Sequence, residues 1–242
     1  MRRYLVLTIV VALGMSAAHA WAGDTPTATV QESRQVLGEL ISIPGKEIPQ
    51  RLLAQAQGIA VVPNVLKIGL VAGVRRGRGV VMVRDADGQW TLPQFITLTG
   101  GSVGWQAGIQ GTDVVLVFTT RKGVEGLLKG KFTVGVDAAA TAGPVGRNAA
   151  AATDTELKAE IFSYSRSRGL FLGASLDGSL LEIDQAAAAA FYGPPQAVGQ
   201  QLIPESAAKL HAFLVELTNA GPPAPAPGIP VAPPPIKLDG KQ

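Results

Sequence analysis

Apolar positions in this chain follow two different rhythms. Between Thr27 and Ile41, the residues Val30, Leu37, Leu40 and Ile41 fall near one face at helical spacing, and Pro44-Gly45 ends the segment. The pattern predicts a short amphipathic helix that packs on a core. A second helix is predicted over Ile48 to Gln57, with Pro49 in its first turn, Leu52, Leu53 and Ala56 as its stripe and Gly58 as its C-terminal cap. From Ile59 onward the period drops to two. Strands are predicted at Ile59–Val62, Lys67–Val74, Gly79–Arg84, Gln94–Leu98, Val103–Gln110 and Asp113–Thr120, with Asp87-Gly88 as a hairpin turn. Glycines recur inside them at Gly69, Gly73, Gly104, Gly108 and later Gly135, which predicts a sheet bent strongly at its corners. Gly69-Leu-Val-Ala-Gly73 also matches a membrane-helix pairing pattern, but its apolar stretch is too short to span a bilayer.

Beyond Thr120 the rhythms alternate. Arg121–Gly130 reads as a short helix, Lys131–Val136 as a strand, and the small residues of Ala138–Ala152 as a loop around Pro144. Ser163 to Ser179 reads as strand, tight basic turn, strand, hairpin turn at Asp177-Gly178, strand. Gly173 within it implies a bend or a close backbone approach. Asp184–Tyr192 and Glu205–Asn219 are helical, the latter with Leu210, Phe213, Leu214 and Leu217 at i, i+3, i+4 and i+7. The fold class is therefore α+β: a strongly curved, largely antiparallel, barrel-like sheet with flanking helices.

Composition divides the chain into three. Residues 1–22 have the build of a secretory signal peptide: Arg2 and Arg3, an apolar run from Leu5 to Leu13, then small residues around Ala20. Residues 23–220 form one domain. Gly221 to Gln242 is rich in Pro and Ala and reads as an extended tail. The expected location is the periplasm of a double-membrane bacterium. With no cysteine there is no lipobox thiol, disulfide or thiolate metal site. The 21 Lys and Arg oppose 18 Asp and Glu, and without Arg2 and Arg3 the balance is 19 to 18. So small an excess argues against nucleic acid as a partner.

Catalytic chemistry finds little support. Gly100-Gly101-Ser102-Val103-Gly104 matches the nucleophile-elbow pattern, but that motif needs a strand-to-helix turn and a histidine base. Strand-like sequence follows Ser102, and His211, on the last helix, is the one histidine after the signal segment. A serine hydrolase is the weakest reading, and no catalytic, metal or cofactor set is assigned. Asp113 and Asp137, beside apolar strands, are either buried hydrogen-bond partners or part of an oxygen-ligand metal site, the former favoured. Basic residues are more suggestive. Arg75, Arg76 and Arg78 crowd one predicted turn, and Arg121, Lys122, Lys129 and Lys131 flank a short helix. Converging guanidinium groups suit an anionic head group, whereas charges at strand ends also occur as ordinary solvated residues.

Tyr164-Ser165-Arg166-Ser167-Arg168-Gly169-Leu170-Phe171, with Gly173 and Ser175-Leu176-Asp177-Gly178-Ser179, resembles the signature of the SYLF-domain family. Further blocks stand in that family's order: Asp87-Gly88-Gln89-Trp90 with Pro93, Gly104 to Gly108, Asp113, Ala142-Gly143-Pro144-Val145-Gly146-Arg147, and Phe191-Tyr192-Gly193. The resemblance covers about Ile48 to Leu217. It implies a lipid-binding module, whose eukaryotic members bind phosphoinositides and in some cases actin filaments. It adds Arg147, Arg166 and Arg168 to the candidate lipid-binding residues, with Arg147 or Arg166 alternatively a buried ion-pair partner. For an exported protein, anionic phospholipid such as phosphatidylglycerol or cardiolipin is the natural ligand, met by basic turns and an apolar groove between sheet and helices. The alternative is an envelope scaffold that reaches a protein partner through its proline-rich tail.

Overall fold

A computed structural model describes residues 25–42, 48–69, 72–103, 108–144, 159–167, 170–173, 176–193 and 202–219. Residues 1–24 and 220–242, with Arg147 and Arg168, lie outside this set. Five helices are described: α1 (Pro26–Ser42), α2 (Gln50–Gln55), α3 (Arg121–Leu128), α4 (Gln185–Tyr192) and α5 (Glu205–Asn219). Nine strands form one sheet: β1 (Gly58–Gly69), β2 (Ala72–Val83), β3 (Gln94–Val103), β4 (Gly108–Phe118), β5 (Lys131–Thr133), β6 (Ala140–Ala142), β7 (Ile161–Ser167), β8 (Leu170–Gly173) and β9 (Leu180–Ile183). Their order is β5-β9-β3-β2-β1-β4-β7-β6, with β8 also on β7, and every pair except β6–β7 is antiparallel.

Connectivity forces this sheet to curl. Seven inter-strand steps separate β5 from β6, roughly 34 Å in a flat sheet at ~4.8 Å per step. Only residues 134–139 join them, a reach of at most about 24 Å. The chain makes the opposite crossing from β8 to β9, arriving through residues 176–179. The two crossings are clasped together: the Val134 N–H donates to the Ser179 carbonyl at 2.8 Å and the Gly178 N–H to the Val134 carbonyl at 2.9 Å. The barrel-like expectation is thus met by an incompletely closed sheet.

Alternation along each strand gives this curled sheet two cores. The concave side buries Ala60, Val62, Val81, Ile96, Leu98, Leu116, Phe118, Phe132, Ile161 and Leu181, together with Val134, Ala138 and Leu176 of the crossings. Helix α3 closes one end, with Val124 and Leu127 in the same cluster. The convex side carries α1, α2, α4 and α5 over Ile59, Val61, Val80, Met82, Phe95, Val115, Phe162 and Tyr164. Helix α1 buries Val30 and Leu37 of its predicted stripe and Val36 beside them, while the side chains of Leu40 and Ile41 lie outside the described set. Helix α5 matches its predicted span, and Trp90 Nε1 donates to Thr218 Oγ1 at 2.9 Å to hold it.

Several boundaries differ from the sequence reading. The predicted strand Lys67–Val74 contains a chain reversal: Lys67–Gly69 closes β1 and Ala72–Val74 opens β2, with Gly69 paired to Gly73. An apolar run without a turn dipeptide gives no warning of that hairpin. Val103–Gln110 likewise straddles the β3–β4 connection, and Ala140–Ala142, read as loop, pairs in parallel with β7. The strand predicted to Val136 stops at Thr133. Gly58 opens β1, while Ala56 caps α2. Gly173 lies at the end of β8, not in mid-strand. β1 also bulges between Val62 and Val65, where Asn64 adopts φ 47°. Gly79 makes room for this bulge, since a Cβ there would lie on the Val61 carbonyl and 2.7 Å from Val62 Cα.

Candidate functional site

The β1–β2, β3–β4 and β7–β8 connections all leave the sheet at the end opposite α3, as the registers Gly69↔Gly73, Gly69↔Gly108 and Asp113↔Arg166 require. Four sequence-predicted basic residues approach this open end. Arg75, Arg76 and Arg78 stand inside β2, paired across to β3, and not on a turn. Strand alternation therefore separates them. Arg76 and Arg78 share the convex face with Val80 and Met82, and Arg75 shares the concave face with Val81 and Val83. Arg75 is half-buried, and its Nε donates to the Gly101 carbonyl at 3.0 Å. Desolvation holds its guanidinium below the ordinary value, opposed by the nearby Asp177 carboxylate. Sequence reasoning missed Lys67, which lies directly across from Arg75 on β1. Its signal was present in the period-two pattern but was masked by the unrecognised hairpin. Val74, next to Arg75, is 62% exposed.

Arg166 belongs to a different arrangement. Its Nε and Nη2 reach Asp113 Oδ2 at 2.7 and 2.6 Å, and its Nη1 pairs with Glu39 on α1. Asp113 also accepts the Asn64 N–H at 2.9 Å, holding the β1 bulge. Burial lifts the Asp113 carboxyl and lowers the Arg166 guanidinium from their ordinary values, a cost these short bonds offset. The group lines an open depression of about 500 Å³ with Glu32, Gln35 and Gly111. Arg166 is thus a clamp between α1 and the sheet, the ion-pair alternative of the sequence reading.

The remaining candidates lie elsewhere. Arg121 donates to the Arg84 and Asp85 carbonyls at 3.4 and 2.7 Å, Lys122 pairs with Glu160 at 3.5 Å, and Lys129 caps α3. Lys131 on β5 pairs with Glu182 at 3.1 Å. These residues sit at or beside the α3 end and do not converge with Arg75. The expected apolar groove between sheet and helices is occupied by the packed convex core, leaving a cavity of about 160 Å³ lined by Arg78, Phe95, Asp184 and Ala187. Asp137 caps a turn through the Thr133 N–H at 2.5 Å. No cluster of three metal-ligating side chains occurs among the described residues. Ser102 lies within β3, without the turn a nucleophile elbow requires, and His211 Nε2 contacts the Trp90 carbonyl at 2.8 Å.

The fold is an α+β domain built on a curled, largely antiparallel sheet. Residues 99–218 match the family model described as "Ysc84: Las17-binding protein actin regulator". The chain belongs to this Ysc84, or SYLF-domain, family. It is 38% identical over 139 residues to SH3 domain-containing YSC84-like protein 1 of Rattus norvegicus, a match covering 57% of this chain and 41% of that protein. Against LAS seventeen-binding protein 3 of Saccharomyces cerevisiae it is 37% identical over 149 residues, 60% of this chain and 32% of the other. The Xenopus laevis YSC84-like protein 1 is 34% identical over 177 residues, covering 69% and 52%. The chain thus matches about half or less of the length of each of these relatives.

Proposed function

We propose that this chain is an exported lipid-binding protein that recognises anionic phospholipid at the open end of the curled sheet. The observation that carries the reading is the placement near that end of Lys67 and Arg75 on one face of the paired strands and of Arg76 with the exposed Val74 on the other. Cations beside an exposed apolar residue suit a membrane surface with negative head groups. Residues 1–22 serve as the export signal, and the periplasm is the proposed location. Arg121, Lys122 and Lys129 at the far end are not part of the surface.

Co-sedimentation with phosphatidylglycerol and phosphatidylcholine vesicles tests this. Binding is expected with the anionic vesicles, weakening between low and moderate salt because exposed charges are screened beyond about 10 Å at 0.1 M. Removal of charge at Arg75 and Arg76 should lower it severalfold, and removal at Arg121, Lys122 and Lys129 should not. Absence of vesicle binding by the folded protein would overturn the reading.

A second reading is favoured by the name of the family, a Las17-binding actin regulator, and of its yeast relative, LAS seventeen-binding protein 3. In it the domain is a scaffold for a protein partner, reached through residues 221–242. Capture of an envelope protein that is lost when the tail is removed, with no vesicle association, would select it.

A further inference from the structure

On the convex side, the cavity of about 160 Å³ opens between the start of α1, strands β2 and β3 and the start of α4. Pro26 of α1, Phe95 of β3 and Ala187 of α4 give it apolar walls. The Phe95 ring is held edge-on by Phe191 and Tyr192, at centroid separations of 5.1 and 6.4 Å. Two opposite charges also line the cavity, Arg78 from β2 and Asp184 ahead of α4, and they form no ion pair with each other. Asp184 is fixed from two sides: its N–H donates to the Phe95 carbonyl at 2.8 Å, and its Oδ1 accepts the Ala187 N–H at 2.9 Å. Its Oδ2 has no hydrogen-bond partner among the described residues. Thr29, a further lining residue, turns its hydroxyl to the Thr25 carbonyl at 3.3 Å and meets neither charge.

This charge pattern selects the occupant. A lone anion would face the Asp184 carboxylate, a lone cation would face the Arg78 guanidinium, and an uncharged apolar molecule would strip water from both without replacing it. A molecule that carries both charges pairs each with its opposite. One water needs ~10–15 Å³, so about 160 Å³ accommodates a molecule of several non-hydrogen atoms. We infer that the cavity is a binding site for a small aliphatic amino acid, with its carboxylate on Arg78, its ammonium on Asp184 Oδ2 and its side chain against Phe95 and Ala187. The bound molecule bridges α1, β2 and α4 and thereby stabilises the folded chain. The site uses none of Lys67, Arg75 and Arg76 and does not rest on the lipid reading.

The test is calorimetric titration of the full mature chain with L-valine and L-leucine, and with analogues of each that keep one charge. Those lacking the ammonium are 3-methylbutanoate and 4-methylpentanoate; those lacking the carboxylate are 2-methylpropylamine and 3-methylbutylamine. Saturable binding is expected for at least one of the two amino acids, with a melting temperature that rises as it is added. Its own one-charge analogues should bind at least tenfold more weakly. Arg78→Met and Asp184→Asn should each weaken binding at least fivefold, the asparagine preserving the helix cap. Ala187→Leu should fill the cavity and abolish binding, whereas Arg75→Met, on the opposite face of β2, should leave it unchanged. Circular dichroism shows whether each variant is folded; should Ala187→Leu not fold, Arg78→Met and Asp184→Asn carry the test. No saturable binding of either amino acid, equal binding of the one-charge analogues, or binding indifferent to Arg78→Met and Asp184→Asn overturns the site.

Discussion

Arg166 and Arg75 are both arginines near strand ends, yet their surroundings give them opposite uses. Arg166 is held by Asp113 and Glu39, and its ion pairs tie α1 to β4 and β7. Asp113→Asn keeps the shape but removes the charge, and should cost about 1.5–3 kcal/mol in urea unfolding. The double variant with Arg166→Met should cost less than the sum of the two single changes, because the partners act on one another; strict additivity would refute the clamp. Tyr192 offers a pH probe. Burial pushes its phenol up to about 12 from 10.0, while its hydroxyl donates to the Pro93 carbonyl at 2.7 Å. A raised value means that the folded state favours the neutral phenol. That contribution is complete below pH 10 and is lost as pH rises towards 12. Tyr192→Phe should therefore flatten the fall in melting temperature across this window.

At the scale of elements, the bulge of β1 decides how two twelve-residue strands bend together. Val62 and Val65 both reach the concave core although three positions apart, because Pro63 and Asn64 interrupt the alternation. Gly79→Ala would drive a methyl group into the Val61–Val62 backbone. The expected loss is about 1–3 kcal/mol of stability or failure to fold, whereas Gly101→Ala, with nothing within 4 Å of its Cβ position, should be nearly neutral. Thermal melts of the two variants side by side check this. Periodicity made the helices legible: α4 begins after Asp184, whose side chain caps it through the Ala187 N–H, and α5 runs over the predicted residues. The β1–β2 reversal was illegible because Leu70 and Val71, between strands, have the same apolar character as the strands.

For the whole molecule, the two short crossings replace a long barrel seam, and α3 fills the end they leave near Gly58 and Phe118. Helices occupy the convex side and α3 one end, so the other end is the place left for the proposed surface ligand without displacing core. Deleting residues 221–242 should leave both the melting temperature and anionic-vesicle binding unchanged. Loss of vesicle binding on deletion would move recognition from the domain to the tail. None of the described helices is long and apolar enough to cross a membrane.

The sequence by itself determined the rhythm of the elements, the α+β class, the hairpin turn at Asp87-Gly88 and the family, because periodicity, turn chemistry and ordered motifs are properties of neighbouring residues; Asp177-Gly178 is a turn as its dipeptide predicts, but in a crossing between unpaired strands and not in the expected hairpin. It also named most of the basic residues. Which of them share a face was decided by tertiary structure alone. Arg75 and Arg76 are adjacent in the chain but lie on opposite faces, while Lys67 and Arg75, eight positions apart, stand opposite each other. Ser179 stands against Gly100, beside Arg75, only because the chain between β8 and β9 joins the far edges of a curled sheet. Strand register and sheet closure are set by pairing between distant segments, and no local pattern contains that information.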